Sequence, residues 1–378
     1  MDHARRPAAP AGGGRSADGT RARRRCARAG RAGQRGDPLA RRAAASGGRR
    51  LPRGPGPGVL AYGLARRRAP SGPSGARAAR RPGHGGVGVN RFALNGATTG
   101  PADLLTDLRV AAAAGFGALE LRDTKLEAYL AGGGTLEALA EAFRAAGVRP
   151  LSVNALERAT LVTGAARRAV LGRCATLCAW AAALGAPYVV AVPGPRAEAA
   201  GVGEVAPLTV EMLRALAAVA AEHGVQLAFE FLGPATSSVR TLAEARAIVE
   251  AVGDPPVGLV LDAFHFYVGG STLEMLDGLD PGRLAIVHLD DAEDRPRERL
   301  EDAHRLLPGE GVIPLRPLVA RLEALGYRGD YSVELFRPAY WAWDPLRLAR
   351  AARASLETLF AGLGPGAAGH RQGGEAVS

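Results

Sequence analysis

The sequence predicts a (β/α)8 barrel, also called a TIM barrel, over residues 89–363. Eight short apolar runs alternate with helical stretches over these residues, which is the number and length that such a barrel requires. The runs are apolar almost throughout, a pattern typical of parallel strands that are buried on both faces. Several helical stretches end in glycine before a short loop, which indicates helix C-caps.

The apolar runs are the predicted strands. In chain order they are RFALN (91–95), ALELR (118–122), RPLSVNA (149–155), YVVAVP (188–193), QLAFEF (226–231), VGLVLD (257–262), LAIVHLD (284–290) and YSVELF (331–336). An open, doubly wound sheet is the alternative, but it would normally carry a GxGxxG phosphate loop after its first strand. The sequence NGATTG at 95–100 does not match that loop, so the barrel is favoured.

One predicted helix follows each strand. In chain order they are PADLLTDLRVAAAAG (101–115), a stretch through LEALAEAFRAAG (136–147), an Ala-rich stretch that ends at LGA (184–186), residues 209–223, TLAEARAIVEAVG (241–253), a short helix at TLEMLDG (272–278), PLVARLEALGY (317–327) and residues 345–363. The first of them is closed by Gly115, and others end in the same way.

The positive charge of the chain is concentrated before the barrel. Residues 1–89 contain 21 Arg, no Lys and 3 Asp, a net charge of +18, whereas the whole chain carries +11, so the remainder carries −7. Residues 1–88 are rich in Arg, Gly, Ala and Pro and are predicted to be a disordered leader. Two other interpretations stay open: a basic arm for nucleic acid or membrane, and a start site placed too early in a GC-rich gene.

The sequence otherwise favours a soluble cytoplasmic protein without a nucleic-acid or membrane partner. No apolar run approaches the roughly 20 residues that a membrane span needs. The three cysteines indicate a reduced compartment. Cys174 and Cys178 share a helix face and are predicted to be small core residues rather than a metal or disulfide site. Residues 364–378 are predicted to be a flexible tail, and nothing indicates the oligomeric state.

Four polar residues stand at the ends of consecutive predicted strands. They are Glu230, Asp262, His288 and Glu334. In such a barrel the chemistry lies at the C-terminal ends of the strands. Three carboxylates in one buried site would repel one another unless they took up protons or bound a cation. The pattern therefore predicts one divalent metal ion, and the ligand set does not choose between Mn, Zn, Co and Mg.

Other residues near the strand ends are predicted to surround this metal. His265 follows Asp262 by three residues and is expected beside the metal, over the substrate or orienting a ligand; a packed loop histidine is the alternative. Polar residues that close earlier strands are expected to line the pocket, and two loop arginines are expected to contact substrate or orient carboxylates. The first group is Asn95, Glu120 and Asn154, and the second is Arg295 and Arg337.

The two loop arginines and an acidic run beside His288 each have two interpretations. Arg295 and Arg337 would otherwise be ordinary surface or ion-pairing residues. The acidic run formed by Asp290, Asp291, Glu293 and Asp294 is interpreted as a solvated loop, with support of the metal site as the alternative.

Nine short runs along the barrel carry a resemblance to a known family. They are FALNGATT (92–99), LELRD (119–123), LSVNAL (151–156), YVVAVP (188–193), FEFLG (229–233), VGLVLDAFHF (257–266), HLDDAED (288–294), PGEGVIPL (308–315) and VELFRP (333–338). They resemble the xylose-isomerase-like barrel superfamily, which includes sugar isomerases, ketose 3-epimerases and endonuclease IV, and within it the inosose isomerases. The resemblance covers about residues 90–360 and none of the leader.

The resemblance implies one divalent metal held by a Glu, an Asp, a His and a Glu, which match the four strand-end residues named above. It implies an isomerase that moves a ketone to the adjacent carbon of a cyclitol, 2-keto-myo-inositol to 1-keto-D-chiro-inositol, through an enediolate. The substrate would be a small polyol or keto-sugar. Glu230 and Glu334 would form the acid–base pair, and His265 would orient a hydroxyl.

Other functions stay in view beside this one. A ketose or cyclitol epimerase, or a dehydratase, would use the same barrel. A binding protein that works through its basic arm is the non-enzymatic alternative, and the intact set of four ligands argues against it. Endonuclease IV relatives hold three metals with a larger set of histidines, which this chain lacks.

Overall fold

The computed structural model describes residues 91–196 and 204–361. The predicted leader, the predicted tail and Cys26 lie outside these ranges. Within them, eight parallel strands close into a barrel and helices surround it. The predicted fold class is therefore confirmed.

The strands in chain order are β1 Phe92–Asn95, β2 Ala118–Arg122, β3 Arg149–Leu156, β4 Tyr188–Ala191, β5 Gln226–Glu230, β6 Gly258–Asp262, β7 Leu284–His288, β8 Asp291–Ala292, β9 Arg305–Leu306 and β10 Asp330–Val333. The order around the barrel is β1-β10-β7-β6-β5-β4-β3-β2, and β2 returns to β1. β8 and β9 form a separate antiparallel pair within the long loop that follows β7.

The helices are α1 Leu104–Ala113, α2 Asp123–Ala131, α3 Leu136–Ala146, α4 Gly164–Leu184, α5 Val205–Glu222, α6 Leu242–Val252, α7 Ala263–Gly269, α8 Leu315–Ala324, α9 Pro338–Trp341 and α10 Pro345–Ala361. Several begin at side chains that accept a backbone N–H of the first turn, such as Asp103 for α1 and Thr241 for α6. Gly147 and Gly185 end α3 and α4 in the left-handed conformation that glycine favours.

Several helical elements differ from the prediction, and α9 was not predicted. The second unit contains two helices, α2 and α3, in place of one. The short helix predicted at TLEMLDG is a 3-10 turn, Leu273–Leu276. The α7 helix was missed because its sequence, AFHFYVG, continues the apolar run of β6. The Asp262 side chain begins this helix by accepting the His265 N–H at 2.7 Å.

The barrel interior changes from apolar to polar along the strands. Because side chains alternate between the two faces of a strand, residues two apart point the same way. Inward apolar residues fill the lower barrel: Ala93, Ala118, Ala228, Val260 and Ile286. Two residues further along the same strands stand Asn95, Glu120, Glu230, Asp262 and His288, all buried. The strands thus bring polar side chains together at their C-terminal ends.

The outer core lies between the barrel and its helices. Cys174 and Cys178 of α4 belong to it; both are free and fully buried, as predicted, with their sulfur atoms 3.9 Å apart. None of the helices in the two described ranges is both long and apolar enough to cross a membrane.

Candidate metal centre

The four strand-end residues meet in one cluster. Glu230, Asp262, His288 and Glu334 each offer a ligand atom, and these atoms all lie within 4.8 Å of one another. All four residues are buried, with at most 3% of their surface exposed. Strand register explains the meeting, because Asp262 pairs with His288 across β6 and β7, and His288 pairs with Ser332, two residues before Glu334.

The His288 ring lies between four carboxylates. Its Nδ1 is 3.0 Å from Glu230 Oε1, 3.2 Å from Glu334 Oε2 and 3.6 Å from Asp262 Oδ2. Its Nε2 is 3.1 Å from Glu120 Oε1 on the opposite side. A carboxylate on the second ring nitrogen is the usual partner that orients a metal-binding histidine. Nδ1 is therefore the nitrogen that faces the candidate metal position.

Glu120 and Asn95 hold this arrangement from the neighbouring strands. Ser152 Oγ donates a hydrogen bond to Glu120 Oε2 at 2.7 Å. The Asn95 amide donates to Glu120 Oε1 at 3.2 Å and to Glu334 Oε1 at 3.0 Å. These two residues, predicted to line the pocket, thus contact His288 and Glu334 directly.

The crowding of carboxylates changes their protonation. Burial raises the pKa of Glu230 to about 8; the neighbouring Glu334 and Asp262 add to this effect, while His288 opposes it. Burial also opposes ionisation of Glu120, but the charge of the nearby His288 outweighs it and lowers that pKa to about 2. Burial would lower the pKa of His288, yet the surrounding carboxylates raise it well above its usual range.

A buried arginine that sequence reasoning missed lies beside the cluster. Arg305 of β9 is 1% exposed. Its Nη1 donates to Asp262 Oδ2 at 2.6 Å and to Asp290 Oδ2, and its guanidinium lies over the rings of Phe264 and Phe336. Arg305 attracts Asp262 strongly enough to hold the pKa of that carboxyl below its usual range despite burial. It is a fixed internal cation of the site.

His265 lies against Arg305 in α7, not in a loop. Its Nε2 is 3.1 Å from Arg305 Nη2, and it accepts this hydrogen bond because a guanidinium only donates. Burial lowers the pKa of His265, so the neutral ring carries its proton on Nδ1. That Nδ1 is buried and has no hydrogen-bond partner among the described residues.

Arg122 is a second missed arginine. It stands two residues after Glu120 on β2, so the alternation of inward residues would have found it. Its Nη1 donates to Asn154 Oδ1 at 3.0 Å and lies 3.8 Å from Glu334 Oε1. Its guanidinium also lies over the Phe336 ring at 5.5 Å. Asn154, a predicted pocket residue, is 2% exposed and accepts this hydrogen bond from Arg122.

The two predicted loop arginines both bind Glu293. Arg295 Nε is 2.5 Å from Glu293 Oε2, and Arg337 Nη1 is 2.6 Å from Glu293 Oε1. Among the described residues, neither guanidinium contacts the four clustered ligands. Contact of these arginines with substrate stays a prediction.

The acidic run is not a solvated loop at its first two positions. Asp290 and Asp291 are buried, whereas Asp294 is exposed. Asp291 accepts hydrogen bonds from the backbone N–H groups of Ala292, Gly309 and Ile313, at 2.8–3.1 Å. The interpretation was wrong there because the folded loop needs an internal acceptor for those N–H groups.

The donor set fits one divalent cation. The buried carboxylates in and around the cluster are Glu120, Glu230, Asp262, Asp290 and Glu334, and the guanidinium groups beside them are those of Arg122 and Arg305. With every carboxyl ionised and the imidazoles neutral, the state in which the site would bind a metal, five negative charges against two positive ones leave a formal charge of −3. A buried excess of this size needs protons or a bound cation. Fold and cluster define a (β/α)8 barrel with a candidate single-metal centre at the C-terminal ends of its strands.

The chain belongs to the xylose isomerase-like TIM barrel family, whose sequence model matches residues 108–359. It is 37% identical to an inosose isomerase of Halalkalibacterium halodurans over 253 residues. This alignment covers 66% of this chain and 89% of that protein. It is 34% identical over 271 residues to an inosose isomerase of Bacillus velezensis, covering 71% and 96%. A crystal structure of the IOLI protein with a binding zinc atom superposes with a TM-score of 0.68 at 32% identity, covering 72% of this chain and 99% of that one.

Proposed function

We propose that the protein is an isomerase that moves a ketone to the adjacent carbon of a cyclitol, converting 2-keto-myo-inositol to 1-keto-D-chiro-inositol. One observation carries the proposal: three buried carboxylates and His288 Nδ1 converge at the strand ends, as a single-metal keto–hydroxyl isomerase requires. The inosose isomerases to which the chain is similar support this choice of substrate. The substrate is thus a small keto-polyol.

Glu230, Asp262, His288 and Glu334 hold one divalent metal ion in this proposal, with Mn, Zn, Co and Mg as the possible ions. A metal ion bound there supplies Lewis-acid polarisation of the ketone and its neighbouring hydroxyl, which makes the C–H bond between them more acidic. Zinc in the similar IOLI structure supports an ion of this kind.

Glu230 and Glu334 have different surroundings, which suggests different catalytic roles. Glu334 Oε1 accepts from Asn95, and its Oε2 lies near His288 and Arg305, so both of its oxygens are engaged. Glu230 engages only Oε1, and its Oε2 has no hydrogen-bond partner among the described residues. The free Oε2 makes Glu230 the better placed proton acceptor of the two. Glu230 Oε2 therefore removes the proton from the substrate carbon, and Glu334 is the partner of the acid–base pair.

Two further side chains, His265 and Arg122, contact the substrate in this proposal. The unpartnered Nδ1–H of His265 donates to a substrate oxygen, which satisfies a buried donor. Arg122 donates one hydrogen bond, to Asn154, among the described residues, so the rest of its fork is open to hydroxyl oxygens. Arg295 and Arg337 stay candidates for contact with the substrate.

The reaction in heavy water tests the proposal. The full chain, loaded with divalent metal, is incubated with 2-keto-myo-inositol, and ring deuterium and ketone position are measured by NMR and mass spectrometry. We expect a new ketone isomer, and we expect none from Glu230→Gln under the same conditions. An epimer with an unmoved ketone would assign the protein to the epimerases, and loss of water to give an enone would assign it to the dehydratases. Absence of both deuterium and a product would refute the proposal.

A further inference from the structure

Lys125 is the only lysine of the chain, against 47 arginines. It lies in the first turn of α2 with 13% of its side chain exposed. Its Nζ donates to both oxygens of Asp107, at 2.9 and 2.8 Å, and to the carbonyl oxygen of Gly96 at 2.7 Å. Asp107 is fully buried in α1. The only lysine of the chain thus forms an internal ion pair outside the metal cluster.

The surroundings of this ion pair fit a compact cation with three donors. Thr99 Oγ1 donates to Asp107 Oδ1 at 2.5 Å, so the carboxylate is already enclosed on that side. A Cβ atom at Gly96 would lie only 2.9 Å from Asp107 Oδ2. A guanidinium is planar and larger than an ammonium, so an arginine would displace the surrounding groups.

The ion pair holds the segment that runs from Asn95, the last residue of β1, into the loop before α1, residues 95–101, which we call the rim loop. Thr98 of the rim loop donates from Oγ1 to Val333 O at 2.8 Å and accepts from Leu335 N at 3.1 Å. Those two backbone groups flank Glu334. Asn95, at the start of the loop, donates to Glu334 Oε1 at 3.0 Å. The rim loop therefore binds the backbone on both sides of Glu334 and also the carboxylate of Glu334.

We propose that Lys125 is a positioning residue: with Asp107 it fixes the rim loop, and through Asn95 and Thr98 it orients the Glu334 carboxylate toward the metal. This inference rests on the proposed metal centre. Partners that orient a metal ligand typically change metal affinity by about 10- to 100-fold when they are removed.

A second ion pair, also formed with a buried aspartate but by a half-exposed arginine, separates positioning from ordinary stability. Arg149 and Asp330 pair at 2.7 Å, and Asp330 is 3% exposed. Asp330 begins β10, the strand that leads to Glu334, but the pair lies at the opposite end of the strand. Loss of this pair would lower stability without releasing the rim loop.

The experiment compares Lys125→Met, Lys125→Arg and Arg149→Met with the wild-type full chain. Co²⁺ is titrated into each protein, and affinity and visible absorption are recorded, because the absorption reports the geometry of the ligands. We expect both Lys125 variants to bind Co²⁺ about 10- to 100-fold more weakly, with an altered spectrum. Arg149→Met should match the wild type within twofold in affinity and show the same spectrum.

Thr98→Val provides an independent variant if the Lys125 variants do not fold. It removes both hydrogen bonds that flank Glu334 and leaves the ion pair intact, so the same loss of affinity is expected. A wild-type affinity and spectrum in Lys125→Met, or in Thr98→Val where the Lys125 variants do not fold, would overturn the positioning role and leave the metal centre standing. Failure of the wild-type chain to bind Co²⁺ would instead overturn the metal centre, and the inference with it.

Discussion

Replacing Arg305 with Met removes the internal cation of the site and keeps most of its side-chain volume. Arg305 is 1% exposed, and its guanidinium pairs with Asp262 at 2.6 Å and with Asp290. Met retains an apolar stem that packs between Phe264 and Phe336. The substitution therefore leaves a buried carboxylate at Asp262 without its cation.

The size of the effect follows from this burial. Removing one partner of a buried, hydrogen-bonded ion pair costs about 3–5 kcal/mol, because the other charge stays buried. Asp262 bears most of this cost, since burial already raises the pKa of Asp290 well above its usual range in the presence of Arg305. For a domain of this size each kcal/mol corresponds to about 2–4 °C, so Tm should fall by about 6–20 °C.

Arg295→Met is the matched control. Arg295 pairs with Glu293 at 2.5 Å, but its side chain is 47% exposed, and exposed pairs contribute about 0–1 kcal/mol. The assay is thermal unfolding of both metal-free variants, followed by circular dichroism. A fall of less than 2 °C in Arg305→Met, or equal falls in both variants, would refute the account of Arg305 as the buried counter-charge of the site.

Three further predictions concern the metal and the leader. Glu334→Gln should weaken metal binding at least about tenfold and abolish turnover while circular dichroism shows a folded barrel, because Asn95 keeps an acceptor; an active variant would contradict the ligand assignment. Because burial raises the pKa of Glu230 to about 8, the carboxyl must lose a proton to bind metal. Because the pKa of the ligand His288 is also raised well above its usual range, the metal must displace its proton too, so affinity should increase by at least about tenfold per pH unit from pH 6 to 8, and calorimetry showing no proton release would refute this. Deletion of residues 1–88 should leave turnover and metal content unchanged, since the residues assigned to the site lie between Asn95 and Arg337, and loss of either would contradict it.

The sequence was sufficient for the barrel and for the cluster at its strand ends. Parallel strands that are buried on both faces give continuous apolar runs, so one Glu, Asp or His at the end of such a run is conspicuous. The ends of all eight strands meet at one edge of the barrel, so Glu230 and Glu334 come together without knowledge of the loops. Arg122 could have been found in the same way, because it stands two residues after Glu120 on β2 and therefore points to the same face of the strand.

Loop geometry decided what the sequence did not reveal. Arg305 reaches Asp262 because the loop after β7 folds back into the antiparallel pair of β8 and β9, and no periodic pattern signals that return. The acidic run misled for the same reason, since Asp291 accepts backbone hydrogen bonds only after the loop has folded. The position of a loop side chain depends on contacts between residues that are far apart in the sequence, whereas the position of a strand-end side chain follows from the fold alone.

An anomalous difference map, recorded from crystals of the protein loaded with Mn²⁺ or Zn²⁺ at the absorption edge of that metal, tests the central claim most directly. We predict one strong peak per chain, within bonding distance of Glu230, Asp262, Glu334 and Nδ1 of His288. Absence of a peak, or a peak elsewhere in the barrel, would contradict the metal centre and the isomerase mechanism that depends on it.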